Sequence, residues 1–220
     1  MGNELMAVEP DLELLHTRDY QVRAYRKTAT TLLIRGAVRD VKPPGTFLED
    51  DAEPLEIHHM VVDINVELPD LVITSAQVVF ETHPHAACPS IADHYAKLVG
   101  LSIARGFTHK VRELFGGPRG CTHTTALLQA MAPVAIQSIW SMRMSGADEQ
   151  SVVIGRTMTT EERMQAMSFN VNTCHVWAED GVQLTKIARG EEPDLPLWAQ
   201  ARLTKLGRSP DEWRSRMRGG

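Results

Sequence analysis

LEIHHMVVDINVELPDLVITSAQVVFET, residues 55–82, carries the alternation that decides the fold. Met60, Val62, Ile64 and Val66 fall on one parity together with His58, whereas His59, Val61, Asp63 and Asn65 fall on the other. A period of two residues belongs to a strand with one buried face. Pro69-Asp70 supplies turn chemistry, so the stretch predicts a strand from Leu55 to Leu68 and another from Leu71 to Thr82. An inward-facing histidine is costly unless satisfied, so His58 is either a core histidine bonded to a carbonyl or a ligand.

Working outward toward the N-terminus, Arg18 to Val41 reads as two more strands. Val22 and Ala24 lie in the first, and Leu32, Ile34, Gly36 and Val38 alternate in the second. The stretch VKPPGTFLEDDAEP, residues 41–54, combines prolines, a glycine and acids and marks a solvated loop. Four strands in succession favour an antiparallel meander.

Working outward toward the C-terminus, Cys88-Pro89-Ser90 opens a segment whose Ile91, Tyr95, Leu98 and Val99 form a helical stripe ending near Gly100. A second helix runs from about Thr108 to Phe115 and stops at Gly116-Gly117-Pro118. The third starts near Cys121 and is apolar nearly all round through Ile139, as a buried central helix would be, with Pro133 expected to kink it. Thr159 and Glu162 form a capping box for a helix to about Ser168. A hairpin around Asp180-Gly181 and helices near Leu197–Leu206 and Pro210–Met217 complete the chain. The expected fold is α+β: an antiparallel meander followed by helices on one face, with a core domain at 1–145 and an extension packed on it at 146–220.

The 220-residue chain, 43% hydrophobic, can bury a sizeable core without disulfides or metal. A net charge of −5 with both signs mixed argues against nucleic acid as a partner. The apolar runs are too short to span a bilayer, and the acidic start does not read as a signal peptide, so a cytoplasmic protein without a membrane partner is expected. Three cysteines without a C-x-x-C suit free thiols in a reducing compartment. Four tryptophans and ten methionines leave room for a homo-oligomer, although Met131, Met164 and Met167 lie at helical spacings that suit a core.

Cys88 and Cys121 each stand at a helix opening, where unpaired N–H groups and the positive dipole end stabilise a thiolate. Such a thiolate is a metal ligand or a nucleophile; a free cysteine also packs simply as a small hydrophobe. His123 follows Cys121 by two residues, so both reach one ion only if the first turn is irregular, which Gly120 allows. His58, Cys88, Cys121 and His123 then supply a four-coordinate N/S set of the kind zinc or iron takes. His59 and His85 are the candidate general acid/base groups. His16, Arg18 and Tyr25, with Tyr20 and Arg23 nearby, offer a polar lid for a carboxylate or phenol on a substrate.

The order of these elements, IHHMVVDINV and LVITSAQVVFE strands followed by helices opened by CPSIADHYAKLVG and GCTHTTALLQAMAPVAIQS, resembles the SufE/NifU-like fold, including the IscU-type iron–sulfur scaffolds. The resemblance implies that Cys88 matches the mid-chain scaffold cysteine, that Cys121 and His123 fall where a His-Cys pair sits, and that His58-His59 occupies the neighbourhood of the first cysteine and its aspartate. Histidine in place of that first cysteine suits mononuclear zinc or iron better than a cluster. HTRDY, IHHM and GGPRGCTH also resemble a bacterial protein family of undefined function. The expectation is a metal-dependent small-molecule enzyme, a lyase or hydrolase acting on an aromatic or acyl substrate. The alternatives are a metal or sulfur carrier and a non-catalytic interaction domain.

Overall fold

The computed structural model describes residues 6, 7, 9–104, 106–144 and 159–212, in two compact units, Met1–Ser141 and Met142–Gly220. The first unit is α+β: β1 (Thr17–Arg26), β2 (Thr31–Lys42), β3 (Leu55–Glu67) and β4 (Val72–Thr82) form one antiparallel sheet in the order β1-β2-β3-β4. The meander expected from the alternation is therefore present. Local chemistry makes the first turn, where the Thr28 hydroxyl accepts from the N–H groups of Thr30 and Thr31. The β3–β4 turn contains a cis Leu68–Pro69 bond and Leu71 at φ 57°. At its outer edge, the start of β4 is covered by the segment around Ser102: Ile73 donates to the Leu101 carbonyl, and Gly100 and Ile103 donate to Ile73 and Leu71.

The covered face carries Leu32, Ile34 and Val38 from β2, Met60, Val62, Ile64 and Val66 from β3, and Ile73 and Val78 from β4, all buried. Helices α1 (Phe107–Phe115) and α2 (Thr122–Met144) follow. α1 buries Phe107, Val111 and Phe115, a four-residue spacing that keeps one stripe inward. α2 buries Thr124, Thr125, Leu127, Leu128, Met131, Ala132 and Ala135. This is one face of the helix: α2 is apolar nearly all round, as expected, but among the described residues it is fully buried on one side where a buried central helix was expected. α2 meets the sheet at Gly36, where a Cβ would lie 2.8 Å from Met131 Sδ and 3.0 Å from Leu127 Cδ1. Glycine is what lets the helix approach so closely. Pro133 lies inside α2 on its exposed side.

Cys88–Leu98 forms a 3₁₀ helix where an α-helix was expected. Its two buried residues, Tyr95 and Leu98, are three apart, and three residues per turn is the period that stacks them on one side.

In the second unit, α3 (Thr160–Ala166) opens with the expected capping box between Thr159 and Glu162. α4 (Val182–Ala188) and α5 (Leu197–Lys205) follow. The hairpin expected at Asp180-Gly181 is absent. Gly181 sits at φ −72° and ψ 162° as the residue before α4, whereas the favoured hairpin turns need φ above zero there. The last expected helix, Pro210–Met217, lies largely outside the described residues. No helix among the described residues is long and apolar enough to cross a membrane.

Candidate functional site

The β2 alternation that buries Leu32, Ile34, Gly36 and Val38 continues one step further, to Asp40. Its side chain is 1% exposed. Burying a carboxylate costs several kcal/mol unless it is fully paired, and the sheet register supplies the partners. Arg18 of β1 and His58 of β3 stand directly opposite Asp40 on either side, so the three form one row across three strands. Arg18 donates through Nε to Oδ1 at 2.6 Å and through Nη2 to Oδ2 at 2.7 Å, a bidentate fork. His58 Nδ1 lies 3.0 Å from Oδ2. His16, just before β1, places Nε2 3.5 Å from Oδ1.

The fourth group comes from α2. His123 lies in its first turn, with Nε2 3.2 Å from Asp40 Oδ2 and with its ring over that of His58, the centroids 3.9 Å apart and the planes tilted by 30°. The other ring nitrogen, Nδ1, lies 3.6 Å from Cys121 Sγ. Cys121 precedes α2, and its carbonyl accepts from Thr125 N–H to start the helix. Its own N–H donates to the Tyr95 hydroxyl at 2.8 Å. Tyr95 is in turn fixed by stacking on Phe115 at 4.7 Å. Gly120 makes the entry into α2 possible, since a Cβ there would come 2.5 Å from the Phe115 carbonyl oxygen.

Electrostatics follow from this packing. The Arg18 guanidinium is the main cause that holds the Asp40 carboxyl at about 2, against an ordinary 3.8; burial opposes it, and His123 and His16 add to the lowering. The bond to Asp40 raises the Arg18 pKa in return. Burial is the first cause that lowers the pKa of His123; His58 and Arg18 add to it and Asp40 resists it. His123 is therefore a neutral imidazole near neutral pH. With the proton on Nε2, donated to an Asp40 that is ionised at neutral pH, a lone pair on Nδ1 faces the thiol. Burial also raises the pKa of Tyr95, keeping it a neutral phenol.

Of the residues the sequence singled out, His58, His123, His16 and Arg18 meet at Asp40, and Cys121 joins them through His123. Cys88 opens the 3₁₀ helix, half-buried, and is not one of the group. His59 lies on the opposite face of β3, with Nδ1 3.5 Å from Glu56 Oε1. His85 is exposed on the loop, where its carbonyl accepts from His83 at 2.9 Å. Tyr25 pairs with Leu33 in the register, seven residues from Arg18 and on the other face, roughly 20 Å along the strand. Sequence reading missed Asp40 and Tyr95. For Asp40 the signal was the parity of β2, which put a carboxylate on the covered face.

Among the described residues, Asp40, His58 and His123 are the one group of three or more His, Cys, Asp or Glu side chains whose ligand atoms all lie within 4.8 Å of one another. With Cys121 beyond the ring of His123, the site combines a thiol, three imidazoles and an arginine-held carboxylate, groups whose chemistry is able to move a proton. The chain belongs to the family described as a protein of unknown function, DUF2889, whose match covers residues 16–137. That span begins at His16 and includes every member of the site. No curated protein and no solved structure matches the chain.

Proposed function

We propose that the protein is a small-molecule enzyme of the hydrolase or acyl-transfer class, with Cys121 as nucleophile, His123 as its base and Asp40 as the group that orients the base. The observation that carries this reading is the continuous line from Cys121 Sγ to His123 Nδ1 at 3.6 Å and from His123 Nε2 to Asp40 at 3.2 Å. A nucleophile within reach of a base, itself held by a third group, is the general geometry of covalent catalysis. The thiol gives its proton to Nδ1, and the imidazolium so formed is stabilised by Asp40. The thiolate stands at the N-terminal end of α2, where the helix dipole favours negative charge. It attacks an acyl carbon, the tetrahedral intermediate collapses to a thioester, and His123 returns the proton to the leaving group. Water then cleaves the thioester, giving acid and free thiol. N–H groups of the first turn of α2, which have no partner inside the helix, are available to the developing oxyanion.

Two measurements test this. With p-nitrophenyl acetate, the full chain should turn over and Cys121→Ala should lose the activity, whereas Cys88→Ala should keep it. Iodoacetamide followed by peptide mapping should label Cys121 first, and His123→Gln should slow that labelling. Equal turnover in Cys121→Ala and the parent would remove the thiol from the mechanism. Brown protein carrying labile iron and sulfide would favour the carrier expected from the scaffold-like order of elements.

A further inference from the structure

The three donor atoms at Asp40 serve a second purpose. We infer that Asp40, His58 and His123 bind one divalent transition-metal ion of the zinc or iron(II) kind, and that the bound ion and the thiol relay exclude each other. This goes beyond the nucleophile reading and shares His123 with it.

The geometry favours an ion for three reasons. The ligand atoms come from β2, β3 and α2 and already lie within 4.8 Å of one another. Two imidazole nitrogens and a carboxylate oxygen form a borderline N/O set suited to zinc or iron(II). The histidines keep 18% and 15% of their side chains exposed while Asp40 keeps 1%, so solvent and an ion have access to the site from the imidazole side. Arg18 already neutralises Asp40, and the closely stacked rings, tilted by 30°, must adjust to converge on one ion, so the site is a weak, exchangeable one and not a structural one.

Exclusion follows from the His123 tautomer. In the relay, Nε2 carries the proton and Nδ1 offers its lone pair to the thiol. With an ion on Nε2, the proton must move to Nδ1, which then donates toward Cys121 Sγ, as the outer nitrogen of a metal-bound histidine usually does toward a neighbouring acceptor. No proton is gained or lost in that shift. The base for the thiol disappears, so the ion acts as a brake.

The test uses the full chain stripped with a chelator and titrated with zinc against a chromophoric competitor, with cobalt(II) as the spectroscopic probe. One ion per chain is expected, and the cobalt complex should show ligand-field bands without an intense sulfur-to-metal charge-transfer band. His58→Gln should weaken binding more than roughly 100-fold, because even outer partners of metal ligands contribute 10–100-fold. Cys121→Ser and Cys88→Ser should bind as the parent does. Zinc should suppress ester turnover and the chelator should restore it. Parent-like affinity in His58→Gln, a strong sulfur band, or loss of binding in Cys121→Ser would overturn the ligand set; turnover that rises with zinc would overturn the exclusion. Zinc binding as expected in a protein whose metal-free form has no turnover would leave the ion site standing and sink the thiol reading together with the exclusion.

Discussion

Asp40→Asn isolates the charge at the centre of the site while keeping its volume. The carboxyl moves from an ordinary 3.8 to about 2 on folding. At about 1.4 kcal/mol per pKa unit, just under two units give about 2 kcal/mol of stability. Removing one partner of a buried charge pair adds to this, but Arg18 keeps 37% of its side chain exposed and can be rehydrated, so the total is held to about 2–4 kcal/mol. The sign of the pH dependence is fixed by the lowered pKa. The contribution is complete above the ordinary carboxylate range, because the folded state then has lost no more protons than the unfolded one. It is lost as the pH falls from 3.8 toward about 2, where the unfolded chain takes up a proton first. By the same linkage about half remains at pH 3. Urea unfolding in a chelator, followed by far-UV circular dichroism and by amide exchange in β2 and β3, measures the gap between parent and variant. It should be constant from pH 5 to 7 and clearly smaller at pH 3. A gap below about 0.5 kcal/mol at pH 7, the size of an ordinary surface change, or one of equal size at both pH values, would refute the claim that Asp40 folds as a paired anion.

Gly36→Ala should destabilise the first unit by about 1–2 kcal/mol in the same urea assay, since the new methyl meets Met131 Sδ at 2.8 Å and overpacking costs about 1–3 kcal/mol, with flexible methionine giving way in part. Tyr95→Phe removes the acceptor of Cys121 N–H and should cost about 1–2 kcal/mol while keeping the stack on Phe115, with faster exchange of the Cys121 amide as its specific sign. A Tyr95→Phe protein with parent-like exchange at Cys121 would show that the phenol does not hold the start of α2.

β2 and β3 were legible because a two-residue alternation runs along most of each, and the same parity placed His58 inward, whereas β1 and β4 were read from shorter apolar runs bounded by turns. The continuation of the β2 pattern to Asp40 was readable too, but an aspartate just before Lys42-Pro43-Pro44 reads first as the start of a loop. What could not be read was the register. The row Arg18, Asp40, His58 depends on a loop of a dozen residues between β2 and β3 and on the bulge between Asp40 and Val41, and neither has a sequence signature that counts residues. The pairing of Cys121 with His123 was expected as shared ligation. Instead, the thiol meets Nδ1 while Nε2 is taken by Asp40, and only the coordinates of α2 over the sheet distinguish those arrangements. Cys88 and Cys121 looked equivalent as helix openings, yet only Cys121 opens a helix directed at the buried carboxylate.

Arg18 decides what kind of site this is. Had Asp40 been paired only with histidines, one of them would have to remain an imidazolium to compensate a carboxylate that is 1% exposed, and it could not act as a base. A guanidinium does not lose its proton in proteins, so Arg18 supplies that compensation permanently. His123 is then free to take up a proton or change tautomer, and both histidines are free to bind an ion, without leaving the carboxylate unpaired. On the proposed mechanism, the chemistry at this point of the sheet depends on Asp40 being held as an anion by a partner that takes no part in the transfer, which is why Asp40→Asn should lower stability and abolish Cys121-dependent turnover together.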